Sequence, residues 1–248
     1  MIPKIVHYCW FGRGPLPKLA VRCIESWERF FPDYEIKEWN EDNFDVNSIP
    51  YTREAYEAGR YAFVSDYARF WVLYHYGGVY FDTDVEVIKP MGDIIERGPF
   101  MGVEVPAREQ ESPKVAPGLG LGANPGLSLY KAVLDYYSSL SFYNPDGSQN
   151  LQTVVSHVTG ILEAYGLKPV NEIQQVEGIW IYTMDYFNPL DSLTGKLTIT
   201  ENTRSIHWYM NSWSGSSRFY MWLSRMSHRV LGTSFHAAKE RVLRLFKR

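Results

Sequence analysis

Two rhythms of apolar and polar residues succeed each other along this chain, and each change of rhythm marks an element. Ile2 to Trp10 is rich in β-branched and aromatic residues and predicts a buried first strand, which Phe11-Gly12-Arg13-Gly14-Pro15 ends. Leu19, Cys23, Ile24, Trp27, Phe30 and Phe31 recur at helical spacing up to Pro32, so an amphipathic helix follows. Tyr34 to Trp39 alternates as a second strand. From Tyr61 to Tyr76 apolar positions nearly encircle the segment, as in a helix buried on most sides, and Gly77-Gly78 supplies its stop. Val79-Tyr80-Phe81 and Val85-Glu86-Val87 then flank Asp82-Thr83-Asp84. A strand at Phe100–Glu104, a glycine-rich loop at Ala116–Gly126, helices around Leu127–Leu140 and Asn150–Tyr165, and a strand at Ile179–Thr183 complete the pattern. Strands alternating with helices predict an α/β fold with a central, mostly parallel sheet flanked by helices.

Composition adds boundaries to this picture. At 248 residues and 45% hydrophobic, the chain has the length and apolar content for one α/β domain. A formal charge of −3 offers no net basic field to recruit nucleic acid. The charge is unevenly spread: from Arg218 to Arg248 eight Lys and Arg stand against a single acid, Glu240. There Phe235, Ala238, Val242, Leu245 and Phe246 fall at helical spacing among Lys239, Arg241, Arg244, Lys247 and Arg248. This is the pattern of an interfacial helix on an anionic membrane surface, and equally of a solvated helix packed on its own domain. Residues 1–217 are therefore read as the main domain and 218–248 as a basic amphipathic helical tail. Cys9 and Cys23 do not make a disulfide framework, and neither a cleavable signal pattern nor a membrane-spanning apolar run is present. The expected location is cytoplasmic, peripheral on the inner face of a membrane.

The acidic pair carries the chemistry. In extended backbone, residues two apart project to one side, so Asp82 and Asp84 aim their carboxylates at a common point. Two close anions repel unless one is protonated or a cation lies between them, and Mg²⁺ and Mn²⁺ favour carboxylate oxygens and substrate phosphates. Alone, such a triplet fits a solvated turn as well; after a hydrophobic strand it falls at the edge where α/β sheets bind ligands. Asp66 and Arg69, three apart, share a helical face and either reach one ligand or form an intrahelical ion pair. Gly118-Leu119-Gly120-Leu121-Gly122 lacks both the dinucleotide fingerprint and the P-loop lysine, and is read as backbone approaching a substrate or as a flexible loop.

Phe63-Val64-Ser65-Asp66-Tyr67-Ala68-Arg69, followed by Tyr76-Gly77-Gly78-Val79-Tyr80-Phe81-Asp82-Thr83-Asp84, resembles the DxD-containing sugar-binding region of family 32 glycosyltransferases. The glucosylating toxins of clostridia are similar. Ile2-Pro3-Lys4-Ile5-Val6-His7 with Trp10 and Gly12 matches the family's first strand, and His207-Trp208 with Ser212-Trp213 resembles its closing motif. The resemblance implies a GT-A fold over residues 1–217 and retaining hexosyl transfer from a nucleotide sugar, UDP-linked in preference to GDP-linked, to a saccharide acceptor in polysaccharide or glycolipid synthesis. It implies Mn²⁺ or Mg²⁺ on Asp84, Asp82 and His207. Asp82, Asp84 and Arg69 become the catalytic set, with Trp10 on the base, Asp66 on hydroxyls of the sugar or ribose, and Arg69 on the sugar or diphosphate. Tyr80 would reach the donor, Asp82 the ribose or metal, and Ser212 and Trp213 the diphosphate. Gln149, Asn150 and Gln152 are candidate amides near the sugar. Core packing is the competing role for Trp10 and Tyr80. A haloacid-dehalogenase-type phosphatase also carries an acidic pair after a strand, although Glu86 stands where it has Thr or Val. A non-catalytic carbohydrate-binding module is a further alternative.

Overall fold

The computed structural model describes residues 1–192 and 194–210, so the basic tail read at 218–248 lies outside the described residues. The chain opens with β1 (Ile5–Cys9), α1 (Lys18–Phe30) and β2 (Glu35–Trp39), followed by α2 (Pro50–Glu57), α3 (Tyr61–Tyr76), β3 (Gly78–Tyr80), β4 (Val85–Val87) and α4 (Gly92–Arg97). Next come β5 (Phe100–Val105), β6 (Lys114–Val115), a 3₁₀ turn at Pro117–Leu119, and β7 (Leu121–Ala123). The last elements described are α5 (Ser128–Ser138), α6 (Val154–Ala164), β8 (Gln174–Val176), β9 (Ile179–Tyr182), α7 (Met184–Phe187) and β10 (Ser205–His207).

The main sheet runs in the order β2-β1-β3-β7-β5-β9-β8, with β6 paired to β5. β2, β1 and β3 are parallel, β7 is antiparallel to both β3 and β5, β9 is parallel to β5, and β8 closes antiparallel. The expected parallel character holds for most strand directions, but the centre is interrupted by the reversed β7. That strand falls inside the stretch read as a glycine loop. Its glycine serves packing: a Cβ on Gly122 would come within 2.3 Å of the Phe100 ring. β4 leaves the main sheet and pairs antiparallel with β10.

Side chains alternate between two cores, one on each face, as strand geometry requires. Val6 and Tyr8 of β1 and Val79 of β3 join Cys23 and Trp27 of α1, whereas Cys9 and Tyr80 join Phe63, Phe70, Tyr130 and Tyr137 of α3 and α5. Trp27 is fully buried, stacks on Phe81 with ring centroids 5.6 Å apart and donates its indole N–H to the Val85 carbonyl at 2.8 Å. Ser26 Oγ accepts the Val87 N–H at 2.9 Å, so α1 clamps the strand that leaves the acidic turn.

At the other end of that turn, α3 stops on Gly77 (φ 64°), whose N–H reaches Leu73 O at 2.9 Å. Gly78 (φ 102°) then passes so near β1 that a Cβ would meet Ile5 O at 2.7 Å. His7 holds this junction. Trp39 donates its indole N–H to His7 Nδ1 at 3.0 Å, which leaves Nε2–H to donate to Gly77 O at 2.9 Å. Among the described residues no helix is long and apolar enough to cross a membrane.

Candidate active site

The ends of β1, β3 and β5 and the turn entering β7 meet at one edge of the sheet, where a cleft of about 880 Å³ opens. Trp10, just beyond β1, stands on its lip, half-buried, with its indole N–H on Gly14 O at 2.7 Å. Asp66, Arg69, Tyr80, Asp82, Asp84 and His207 also line it.

Asp82-Thr83-Asp84 is a clamped turn rather than a solvated tip. Asp82 N–H donates to Gly118 O at 3.1 Å, Val85 N–H to Asp82 O at 3.0 Å, and Trp208 N–H to Asp84 O at 2.9 Å. The turn, more than strand pleating, brings the two carboxylates together. Asp82 Oδ1 receives the Tyr80 hydroxyl at 3.0 Å and an Arg69 guanidinium nitrogen at 3.2 Å. The same nitrogen lies 3.1 Å from Asp66 Oδ1, and Arg69 Nε donates to Ser65 O at 3.1 Å. Arg69 is only 4% exposed, so a cation buried at this depth owes its place to two flanking carboxylates. Asp66 and Arg69 thus share their helical face and pair, and the pair is joined to Asp82.

Burial pushes the Asp66 carboxyl up to about 7; Arg69 opposes the shift and the Asp82 charge adds to it. Asp84 is the opposite case. Burial raises its carboxyl, but the charge and hydrogen bond of His207, with the Met210 N–H, outweigh it and leave it below the usual range. His207 Nε2 lies 3.1 Å from Asp84 Oδ1, and Met210 N–H donates to Asp84 Oδ2 at 2.7 Å. Burial lowers the His207 imidazole, yet Asp84 carries it above its ordinary value.

Asp82, Asp84 and His207 each offer a ligand atom within 4.8 Å of the others. His207 Nδ1 is buried and has no hydrogen-bond partner among the described residues. Two carboxylates and an imidazole at this spacing fit a hard divalent cation of the Mn²⁺ or Mg²⁺ kind, which would take the place of the shared His207 proton.

Other expectations meet the structure differently. Ser212 and Trp213 lie outside the described residues. Gln149 accepts from Arg60 Nε at 3.0 Å, and Asn150 Oδ1 accepts the Gln152 N–H at 3.1 Å; the cleft wall near them is Thr153, Val154 and Val155 instead. Two contributors escaped the sequence, and a third, Gly118, lay in the stretch read as backbone approaching a substrate. Gly118 lies so close to Asp82 that a Cβ would sit 2.0 Å from Oδ2, Met210 acts through its backbone, and Glu104 projects from the end of β5. Only the glycine spacing around Gly118 carried a visible signal.

Residues 17–101 match the family model described as "Glycosyltransferase sugar-binding region containing DXD motif". Inositol phosphoceramide mannosyltransferase 1 of Schizosaccharomyces pombe is 27% identical over 116 residues, 40% of this chain and 33% of that protein. An uncharacterized glycosyltransferase, L373, of Acanthamoeba polyphaga mimivirus is 31% identical over 106 residues, 40% of this chain and 42% of that protein. The chain therefore spans less than half the length of these relatives. A solved glycosyltransferase involved in glycosylation of the major capsid of PBCV-1 superimposes with a TM-score of 0.51 at 11% identity, over 88% of this chain and 97% of that one. The fold is GT-A. Residues 17–101 are thus similar to the DXD-containing sugar-binding region of glycosyltransferases, in line with the family 32 resemblance.

Proposed function

We propose that this chain moves a hexose from a nucleotide sugar to a saccharide acceptor, with retention at the anomeric carbon and a divalent cation bound. One observation carries the reading: Asp82, Asp84 and His207 converge in a cleft whose lip bears Trp10. Asp84, Asp82 and His207 would hold Mn²⁺ or Mg²⁺, which supplies Lewis-acid stabilisation of the departing diphosphate. The chain's own groups do the rest. Arg69 and the Tyr80 hydroxyl fix the Asp82 carboxylate, so it meets its ligand already oriented. Trp10 stacks on the base, Asp66 and Arg69 face the sugar, and Ser212 and Trp213 belong at the diphosphate. The acceptor hydroxyl attacks the face the diphosphate leaves, and the departing phosphate oxygen takes its proton. A UDP-linked donor is favoured over a GDP-linked one.

The basic tail at 218–248 would dock the enzyme on the cytoplasmic face of an anionic membrane, where a lipid-linked acceptor is at hand. The inositol phosphoceramide mannosyltransferase among its relatives supports a glycolipid product.

A thermal-shift screen of UDP- and GDP-hexoses with and without Mn²⁺ tests the donor, since a ligand selective for the folded state raises its melting temperature. The expected outcome is a Mn²⁺-dependent shift with one nucleotide sugar, lost in Asp84→Asn. Full transfer by that variant in Mn²⁺ would contradict the role given to Asp84.

A further inference from the structure

Strand order fixes the order of groups along the cleft. Trp10 ends β1, the acidic turn follows β3 one strand over, and Glu104 lies on β5 with only β7 between. At the usual inter-strand spacing, β5 stands about 10 Å beyond β3. If the base sits at Trp10 and the diphosphate at Asp82 and Asp84, as proposed above, the glycosyl group extends toward Glu104.

Glu104 is also in a made position. β5 and β6 pair at Val103 with Val115 and at Val105 with Lys114, with a shift of register between them, so Glu104 sits in a β-bulge, a device that re-aims one side chain. Its carbonyl accepts Asn188 Nδ2–H at 3.1 Å, and Asn188 is itself buried. The Tyr209 hydroxyl donates to Asn188 Oδ1 at 2.9 Å and also lies within hydrogen-bonding reach of the Glu104 carboxylate, which it orients while leaving that group's remaining lone pairs to a ligand. Tyr209 is held at φ 51°, a left-handed conformation costly for a residue with a side chain, and its ring packs on His207 at 4.2 Å between centroids. Residues 207–210 thus bridge the acidic turn, through Met210 and Asp84, to the Glu104 position, through Tyr209 and Asn188. A carboxylate is an acceptor only, and the hydroxyls of a sugar are donors matched to it.

We infer that Glu104 is the specificity-determining residue for the transferred sugar, accepting hydrogen bonds from its ring hydroxyls while Asn188 and Tyr209 hold the bulge in place. The inference rests on the donor reading, and the test separates the two. The full chain, Glu104→Gln and Glu104→Ala are titrated in Mn²⁺ with UDP and GDP, then with UDP-glucose, UDP-galactose and GDP-mannose. The wild type is expected to bind one nucleoside diphosphate and to prefer one of its hexose conjugates. Glu104→Ala is expected to keep the nucleoside diphosphate affinity within about twofold, showing it is folded, while losing about tenfold for the preferred conjugate, with Glu104→Gln intermediate. Equal losses for nucleoside diphosphate and conjugate, or no loss for either, would overturn the assignment of Glu104 alone. A wild type that binds neither UDP nor GDP would overturn the donor reading and this inference with it.

Discussion

Asp82 is held from three directions, by Arg69, by the Tyr80 hydroxyl and by its own N–H on Gly118 O, and the third is the least forgiving. Adding one methyl group at residue 118 puts a carbon 2.0 Å from Oδ2, so the carboxylate must rotate away. Gly118→Ala is expected to cost the fold about 1–3 kcal/mol, the usual range for a forced core contact, and to abolish stabilisation by Mn²⁺ with a nucleotide sugar. Paired melting curves with and without ligand check it; a variant that keeps the full ligand-induced shift would show that Asp82 need not be in this position. The pair itself was legible in the sequence, since Asp82 and Asp84 follow an apolar strand. What restrains them was not. Met210 acts through a backbone N–H that any residue carries, and Tyr209 matters because of a backbone angle. Glu104 is one acid among many until a bulge places it at the cleft.

At the level of elements, the junction of β1, β2 and α3 depends on a histidine that must stay neutral. Burial pushes His7 down from 6.5 to about 4, and the Trp39 N–H on Nδ1 leaves that nitrogen no place for a second proton. The unfolded chain takes up that proton below about pH 6.5 and the folded chain does not, so this contribution to stability is present above that pH and lost as pH falls toward 4. The loss approaches about 3 kcal/mol. Asp66, raised to about 7 by burial, acts in the opposite sense in wild type and variant alike, so the comparison isolates His7. The stability gap between wild type and His7→Gln, from urea unfolding at successive pH values, is expected to narrow between pH 6.5 and 4. A gap independent of pH would show that His7 titrates normally. Helices α1 and α3 could be read from periodicity because each offers several turns of pattern. α2 and α4 could not, since Pro50–Glu57 and Gly92–Arg97 give barely two turns of it. β7 was hidden for another reason: Leu-Gly-Ala has no β-branched or aromatic side chain to mark a strand, and the space over Gly122 is taken by the Phe100 ring.

Taken as a whole molecule, the chain joins an acidic body to a basic end. If the end docks on lipid, anionic vesicles will co-sediment with the full chain and not with one truncated after Gly215, and added salt will weaken the binding. Co-sedimentation that survives truncation would assign the contact to the body. The reversal of β7 has its own consequence at this scale. Because that strand runs against its neighbours, the chain must travel out past the sheet edge and back between β5 and β7, and residues 106–113 form the tip of that excursion, tied at Arg108 and Glu111. Both feet of the tip are stapled into the sheet, one beside Glu104 and the other just before Gly118. Such a graft point tolerates exchange: a longer or shorter tip can be borne on the same two feet while the acidic turn stays where it is.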